Sequence, residues 1–361
     1  MNKKIIFTSG GTGGHIFPAI NLMKYFSRKG HKVLLVTDKR GKNFINNYST
    51  YRSITINTTT PTNKSFLKKI ISYMIIFFAI LKSILIIIKE RPNIIFGFGG
   101  YVSFPISFAS KFFKIPLIIY ENNMILGRAN KKLSPIAKKV LLGFKTPINL
   151  KEDYKSKTFY IGNILSEDII NYSTEDKNKD KNKKNFTILI LGGSQGAEVF
   201  GKIIPSTIKM IKEKGYEIEI SQQCISNQKD SIIKFYDENL IKNNTFTFSK
   251  NILNLMSSCD LAISRCGAST TAELIQTCTP FIAVPLPQSI DNHQYLNAKY
   301  YKNKGCCWLI EQHNFSVTNL FNIIMDILKN KKKLEDIKSI MKKNDNKDVY
   351  GKIEKAIEEL I

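Results

Sequence analysis

The chain has few of the residues that build metal centres and disulfide frameworks. Its 361 residues include four histidines and six cysteines, and no cysteine pair has the C-x-x-C spacing of zinc sites or redox motifs. All six cysteines lie in the second half, and free thiols in a reducing compartment are expected. No D-x-D triplet occurs, which removes the usual carboxylate pair for a metal-bound nucleotide diphosphate. The sequence therefore predicts neither a metal ion nor a cofactor.

Signatures of export and of nucleotide hydrolysis are also missing. The opening NKK is followed by three apolar residues, at positions 5–7, before a glycine turn. That run is too short for the core of a signal peptide, which indicates a cytosolic chain. No G-x-x-x-x-G-K-[ST] loop is present, and residues 10–15 match G-x-G-x-x-G only in a forced register. A P-loop ATPase is thus not expected, and a dinucleotide-binding interpretation is weakened.

Acidic residues are scarce relative to basic ones. Twenty-nine aspartates and glutamates face 54 lysines and arginines, which gives a formal net charge of +25. Lysine, asparagine and isoleucine are abundant throughout, so a compositional bias of the source genome explains part of this excess. The rest favours an anionic membrane surface or phosphate-bearing ligands. No recognition motif or aromatic-basic platform accompanies the charge, so no nucleic-acid partner is expected.

One long hydrophobic run occupies residues 70–88. It reaches the minimum length for crossing a bilayer, but Lys82 interrupts it and basic residues flank both ends. Three interpretations stay open: a core helix between two strands, a helix packed on one side with apolar surface offered to lipid, and a true span. Further basic pairs in this half favour membrane contact. They are Lys111/Lys114, Lys131/Lys132 and Lys138/Lys139.

Strand and helix patterns alternate in both halves, which predicts an α/β fold of two doubly wound parallel sheets. Predicted strands occupy residues 4–9, 32–37, 93–98, 116–120, 186–191, 216–221, 261–264 and 280–285, and the clearest helices occupy 16–29 and 197–214. We expect domains at 1–163 and 164–345, with a solvated loop at 174–185. We expect a final helix at 346–361, with an apolar stripe of Ile353, Ala356, Ile357 and Leu360, to pack back toward the first domain.

Three glycine turns follow predicted strands: GGTGGH at 10–15, GFGGYVS at 97–103 and GGSQGA at 192–197. The first and last also open a helix, where unpaired N–H groups and the positive end of the helix dipole attract phosphate. Ligands of open α/β sheets bind at the carboxyl ends of the strands. The sequence therefore predicts a phosphorylated ligand in a cleft between two nucleotide-binding folds.

Polar residues near these turns are candidates for the chemistry. His15 directly follows the first turn, where an imidazole could accept a proton from a substrate hydroxyl, or could simply cap the turn or bind phosphate. Thr270 and Glu273 form a capping-box pattern that predicts either a well-capped helix or a phosphate and ribose site. The segment DNHQY at 291–295 suits recognition of sugar hydroxyls, although surface loops often have this composition.

Taken together, seven segments resemble, in order and spacing, the MurG family of UDP-N-acetylglucosamine:undecaprenyl-diphospho-muramoylpentapeptide N-acetylglucosaminyltransferases. The resemblance covers nearly the whole chain. The segments are GGTGGH at 10–15, GFGGYVS at 97–103, YENN at 120–123, GN at 162–163, GGSQGA at 192–197, SRCGASTTAE at 264–273 and DNHQYLNA at 291–298. The resemblance implies the GT-B fold, two Rossmann-like domains facing across a cleft, and an inverting, metal-independent reaction.

The resemblance also implies residue roles. His15 resembles the general base, while Thr12, Gly13 and Gly14 resemble part of the donor site. Gly13, Gly14, Gly99 and Gly100 would hold the diphosphate of the acceptor. Among the other implied donor contacts, Asn123 binds N-acetylglucosamine, Ser194 binds phosphate and Gln294 binds sugar hydroxyls. A helix start that binds the nucleotide completes the set, with Glu273 on the ribose. Its residues are Ala268, Ser269, Thr270, Thr271, Ala272 and Glu273.

Two positions depart from the family pattern. The family usually has Asn-Pro-Val-Arg after the interdomain glycine, whereas here Ser166 stands in place of the donor-contacting arginine, which removes a charge-assisted bond to phosphate. Ser249 stands where a hydrophobic residue often lines the uracil pocket. Both departures bear on donor affinity more than on fold.

The function implied by the resemblance is transfer of N-acetylglucosamine from UDP-N-acetylglucosamine to the muramoyl C4 hydroxyl of undecaprenyl-linked lipid I, which gives lipid II. The implied location is peripheral, on the anionic cytoplasmic face of the inner membrane. Two alternatives remain open. One is another GT-B enzyme, such as a glycolipid synthase or a sugar-nucleotide epimerase, and the other is a basic binding protein that kept the fold and lost catalysis.

Overall fold

The chain folds into two compact units, seen here in a computed structural model that describes residues 2–10, 13–45, 51–62, 65–172, 185–193, 197–343 and 348–361. Unit 1 comprises Met1–Ser166 and Asn346–Ile361, and unit 2 comprises Glu167–Asp345. Most of the expected solvated loop at 174–185 lies outside the described residues.

Unit 1 is built on a seven-stranded parallel sheet with the order β3-β2-β1-β4-β5-β6-β7. The strands are β1 Lys4–Thr8, β2 Lys32–Thr37, β3 Ser53–Thr55, β4 Ile94–Gly97, β5 Leu117–Glu121, β6 Lys139–Leu142 and β7 Thr158–Tyr160. The central strands are continuous apolar runs because helices cover both faces of a doubly wound sheet. The strand order reverses between β1 and β4, which pair in register from Ile5 with Ile94.

Five helices connect these strands. They are α1 Gly13–Arg28, α2 Lys39–Ile45, α3 Phe66–Glu90, α4 Ser103–Ala109 and α5 Arg128–Leu133. In α1 the buried residues Ile16, Ala19, Met23 and Phe26 recur at helical spacing against the sheet. Pro18 lies inside the same helix. The sequence placed the start of this helix a turn too late because glycines at 13 and 14 carry no apolar signal.

Helix α3 contains the hydrophobic run, and the interpretation of that run as a core helix is wrong. Only 28% of its most apolar 18-residue window is buried, and its buried positions include the small residues Ser72, Ala79 and Ser83. Small residues allow this face to pack closely on α4. The large side chains point outward, as in Phe78 and Leu85, which are 62% and 67% exposed. By length and composition α3 could also cross a bilayer.

Unit 2 repeats the design with a six-stranded parallel sheet of order β10-β9-β8-β11-β12-β13. Its strands are β8 Phe186–Leu191, β9 Ile218–Gln223, β10 Asn243–Phe246, β11 Leu261–Ser264, β12 Phe281–Ala283 and β13 Cys307–Leu309. Its helices are α6 Glu167–Ile170, α7 Glu198–Glu213, α8 Lys229–Glu238, α9 Ile252–Ser258, α10 Ala268–Gln276, α11 His293–Asn303, α12 Val317–Lys329 and α13 Lys332–Lys342. The order reverses between β8 and β11, next to the glycine turn that follows β8.

The last helix, α14 Val349–Glu358, packs on unit 1. Its residues Ile353, Ala356 and Ile357 are buried, while Leu360 is half-buried. Polar contacts add to this apolar packing, among them those of Glu354 with Tyr25 and Lys29. The Tyr350 hydroxyl donates to the carbonyl of Leu165 at 2.7 Å, and Glu359 forms an ion pair with the buried Lys139 on β6.

Candidate functional site

Two of the glycine turns meet at the carboxyl edge of the unit 1 sheet, because β1 and β4 are neighbours there. A Cβ atom at Gly10 would lie 2.5 Å from Cγ2 of Val102, so the first turn tolerates no side chain at that position. Gly99 and Gly100 adopt φ values of +79° and +75°, a left-handed conformation that favours glycine. Gly11 and Thr12 lie outside the described residues.

His15 lies against this pair of turns. It is the third residue of α1 and is half-buried. A Cβ atom built on Gly100 would be 3.7 Å from Cδ2 of His15 and 3.5 Å from the carbonyl oxygen of Gly10. The structure thus brings together Gly13, Gly14, His15 and Gly100. A helix start with free N–H groups and an adjacent imidazole can bind an anion and accept a proton.

Asn123 is held beside this edge by a buried carboxylate. Glu121, at the end of β5, is 2% exposed. Its Oε1 accepts hydrogen bonds from Asn123 N at 3.1 Å and Nδ2 at 3.0 Å, and its Oε2 accepts from Gly127 N at 2.8 Å and Asn130 Nδ2 at 3.0 Å. These donors satisfy both buried oxygens and fix the Asn123 side chain. No local sequence pattern indicated this network.

In unit 2 the corresponding edge is formed by β8 and β11. The turn after β8 is described as far as Gly193, and Ser194 lies outside the described residues. After β11 the chain passes through Arg265, Cys266 and Gly267 into α10. Gly267 is the N-cap and offers no side-chain hydrogen bond, which leaves the first N–H groups of the helix available to an anion.

The capping-box prediction at the start of α10 is wrong. The helix begins at Ala268 after the N-cap Gly267, so Thr270 and Glu273 are its third and sixth residues and Thr270 is not the N-cap. The hydroxyl of Thr271 is buried and donates to the carbonyls of Gly267 and Ala268, both at 3.1 Å. This hydroxyl therefore already has protein acceptors within its own helix. Ser269 and Thr270 are half-buried, and Ala272 is buried.

Glu273 is a partly buried carboxylate on α10. Burial raises its pKa to about 7, because removal from water disfavours the charged form. Within the described parts of the chain it has no hydrogen-bond or ion-pair partner. A carboxylate without a protein partner beside a helix start can accept hydrogen bonds from the vicinal hydroxyls of a ribose.

Arg265 is a functional candidate that the sequence analysis did not single out. It is 7% exposed, and burial lowers the pKa of its guanidinium. Its Nη1 donates to the carbonyls of Val284 and Pro285 at 3.1 Å, and its Nη2 donates to Gln312 at 2.6 Å. No carboxylate of the described residues pairs with it. It lies between the end of β11 and the start of α10, and no local pattern distinguishes it from a surface arginine.

Gln294 connects the ends of β11 and β12. Its Oε1 accepts from the backbone N–H groups of Cys266 and Leu286, both at 3.1 Å. The amide nitrogen is therefore the group that remains for a ligand. Asn297, which is fully buried, donates to the carbonyl of Cys266 at 3.2 Å. Both residues hold the loop that leads into α10.

The two positions that depart from the family pattern belong to different units. Ser166 is the last residue of the first segment of unit 1 and is half-buried. The hydroxyl of Ser249 accepts from Asn251 N at 3.1 Å, just before α9. Across the residues that the structure describes, no group of three or more histidine, cysteine, aspartate or glutamate side chains is placed to hold a metal ion.

Four basic residues lie at the ends of α3, and five more lie elsewhere in unit 1. Lys68, Lys69, Lys89, Arg91, Lys111, Lys114, Lys131, Lys132 and Lys138 are all exposed. Phe112, between two of these lysines, is 61% exposed. Lys139 does not join them, because it is buried and paired with Glu359, so its assignment to the basic surface is corrected.

Comparison with known proteins identifies relatives over the whole chain. The glycosyltransferase family 28 N-terminal and C-terminal domains match residues 5–142 and 187–353. A Rickettsia felis UDP-N-acetylglucosamine--N-acetylmuramyl-(pentapeptide) pyrophosphoryl-undecaprenol N-acetylglucosamine transferase is 37% identical, covering 92% of this chain and 93% of that protein. Its namesake in Rickettsia bellii is 34% identical, covering 99% and 100%. The crystal structure of Acinetobacter baumannii MurG superimposes with a TM-score of 0.81 at 23% identity, covering 99% of both chains. The expected class of two parallel-sheet domains of GT-B type is confirmed.

Proposed function

Because the chain belongs to the family of UDP-N-acetylglucosamine–N-acetylmuramyl-(pentapeptide) pyrophosphoryl-undecaprenol N-acetylglucosamine transferases, the MurG family, we propose that it makes lipid II. It transfers N-acetylglucosamine from UDP-N-acetylglucosamine to the muramoyl C4 hydroxyl of lipid I. The bond from the sugar C1 to the β-phosphate breaks and a C1–O4 bond forms with inversion. The observation that carries this proposal is the repeated pairing of a glycine turn with a helix start at the carboxyl edge of each sheet.

Unit 1 binds the acceptor in this proposal. The N–H groups of Gly13, Gly14, Gly99 and Gly100 hold its diphosphate, and His15 takes the proton from the attacking hydroxyl. The contact of His15 with the Gly100 turn supports this assignment, because it sets the imidazole beside the diphosphate site. Thr12 and Asn123 contribute to donor binding from this unit.

Unit 2 binds the donor. The start of α10, from Ala268 to Thr270, presents its N–H groups to the diphosphate of UDP, whereas the N–H of Thr271 already donates to the carbonyl of Gly267 at 3.0 Å. Ser194 adds a phosphate contact, Glu273 accepts from the ribose hydroxyls, and the amide nitrogen of Gln294 donates to the sugar.

The departing UDP is stabilised without a metal ion in this proposal. Helix N–H groups and a buried cation stabilise a developing phosphate charge more than water does, because they are already oriented in a medium of low dielectric constant. Arg265 is such a cation, held by three neutral acceptors, so its charge remains available for an anion.

The exposed face of α3 holds the enzyme on the cytoplasmic surface of the inner membrane, where its lipid-linked acceptor resides. Large apolar side chains enter the headgroup region while nearby lysines attract anionic lipids. Burial of Ser72, Ala79 and Ser83 against protein favours a helix lying in the interface over one surrounded by lipid.

Product analysis with purified protein tests the proposal. Radiolabelled UDP-N-acetylglucosamine is incubated with and without lipid I, and label is expected in the lipid fraction only when lipid I is present. Consumption of the donor without lipid I would favour an epimerase, and donor binding without turnover would favour a binding protein. A His31→Ala variant, altered beyond the far end of α1, is expected to keep activity and serves as the control for His15→Ala.

A further inference from the structure

Helix α1 contains a proline, Pro18, that leaves one backbone carbonyl of the helix without its intrahelical hydrogen-bond donor. Pro18 lies inside the helix and has no N–H to donate to the carbonyl of Gly14, four residues earlier. A proline ring also crowds that carbonyl and pushes it away from the helix axis. The carbonyl of Gly14 therefore needs a partner from outside the helix, because an unpaired backbone acceptor in a protein interior is costly.

Asn122 supplies that partner from the loop after β5. Its Nδ2 donates to the carbonyl oxygen of Gly14, and the residue is only 4% exposed. Its Oδ1 accepts from Asn123 Nδ2 at 2.8 Å. One amide group thus joins the start of α1, which carries His15, to the network of Asn123 and Glu121.

We infer that Asn122 is a positioning residue: it donates to the carbonyl of Gly14 that Pro18 leaves unpaired, and so fixes His15 relative to Asn123. The pair acts as a unit: the proline frees the carbonyl, and the asparagine uses it to dock the β5 loop onto the helix start. The catalytic consequence rests on the proposed function. The hydrogen bond itself is testable without it.

A double-mutant cycle tests the pairing directly. Asn122→Ala is expected to lower kcat about tenfold with little change in the KM for UDP-N-acetylglucosamine, since an unsatisfied buried acceptor costs enough to displace the helix start. In a Pro18→Ala background the new N–H of residue 18 reaches the carbonyl of Gly14. Asn122→Ala is then expected to cost twofold or less. Equal losses in both backgrounds would overturn the inference.

A matched proline elsewhere gives the control. Pro205 also lies inside a 16-residue helix, α7 of unit 2, so Pro205→Ala combined with Asn122→Ala is expected to show additive effects. The thermal unfolding midpoints of the same variants are also measured. The effect of Asn122→Ala on the midpoint is expected to depend on Pro18→Ala but not on Pro205→Ala. Should the wild-type protein transfer no sugar, the proposed function fails, and the thermal cycle still decides whether the hydrogen bond exists.

A second variant covers the case in which Pro18→Ala does not fold. Asn122→Asp keeps the shape of the side chain but sets a carboxylate oxygen against the carbonyl oxygen of Gly14. It is expected to lower kcat further than Asn122→Ala does. A kcat for Asn122→Asp at or above that of Asn122→Ala would contradict a donor role for the Asn122 amide.

Discussion

Replacement of Glu273 by glutamine is expected to stabilise the free protein and to weaken donor binding at the same time. The folded-state pKa of about 7 exceeds the ordinary value of 4.5. Between these two values the unfolded chain loses its proton while the folded protein keeps it. Stability contributed by this group therefore falls as the pH rises from about 4.5 to about 7, and stays low above that. Glu273→Gln removes this loss.

The magnitude follows from the size of the shift. A difference of about 2.5 pH units corresponds to about 3 kcal/mol, and solvent access to the partly buried carboxylate reduces this to about 1–2 kcal/mol. Thermal unfolding of Glu273→Gln at pH 8 is expected to show a midpoint about 2–6 °C above that of the wild type. The unfolding midpoints of the two proteins are expected to coincide near pH 4.5. Glu238 is an exposed glutamate of α8, so Glu238→Gln makes the same charge change. It is expected to leave the unfolding midpoint unchanged at both pH values.

Donor affinity has the opposite dependence on pH. If ribose hydroxyls donate to Glu273, the ionised carboxylate is the binding form. The Kd for UDP-N-acetylglucosamine, measured by calorimetry, is then expected to rise about tenfold for each pH unit below 7 and to be level for Glu273→Gln. A wild-type Kd that does not change between pH 5.5 and 8 would refute the ribose assignment. A stabilisation at pH 8 without any loss of affinity would refute it as well.

Three further substitutions test other parts of the proposal. His15→Ala is expected to reduce kcat about a hundredfold with little change in UDP affinity by calorimetry, and near-normal turnover would remove His15 from the mechanism. Arg265→Gln is expected to raise the Kd for UDP at least tenfold; an unchanged Kd would limit Arg265 to a structural role. Leu85→Glu on α3 is expected to reduce flotation with anionic liposomes, whereas Leu240→Glu, on an 81% exposed leucine of unit 2, is not. Salt-insensitive flotation of the wild type would indicate insertion in place of surface attachment.

The sequence predicted the long central strands well, because parallel strands buried on both faces are unbroken apolar runs. β2 and β8 have the predicted bounds, Lys32–Thr37 and Phe186–Leu191. Short edge strands such as β3 and β13, of three residues each, were not predicted. A three-residue segment has too little periodicity to be distinguished from a loop.

The site could be predicted in outline but not in its contacts. Glycine turns after predicted strands located the carboxyl edges of the two sheets. In unit 1 the neighbouring strands β1 and β4 bring two of these turns together, and in unit 2 the neighbouring strands β8 and β11 bring the third turn next to the start of α10. The roles of Arg265, Gln294 and Asn122 depend on hydrogen bonds between segments distant in sequence, and no local pattern carries that information. The capping-box pattern failed at α10 because tertiary packing starts the helix at Ala268, earlier than Thr270. Which face of α3 is buried was equally unpredictable, because apolar residues occur on all sides of that run.

Structure determination of the reaction product shows whether the chain transfers N-acetylglucosamine to lipid I. Purified protein is incubated with UDP-N-acetylglucosamine and lipid I, and the lipid product is analysed by mass spectrometry and by NMR. The expected product is lipid I enlarged by one N-acetylhexosamine, linked through a β bond to the muramoyl C4 oxygen. Unmodified lipid I after the donor has been consumed, or a product with an α linkage, would contradict it.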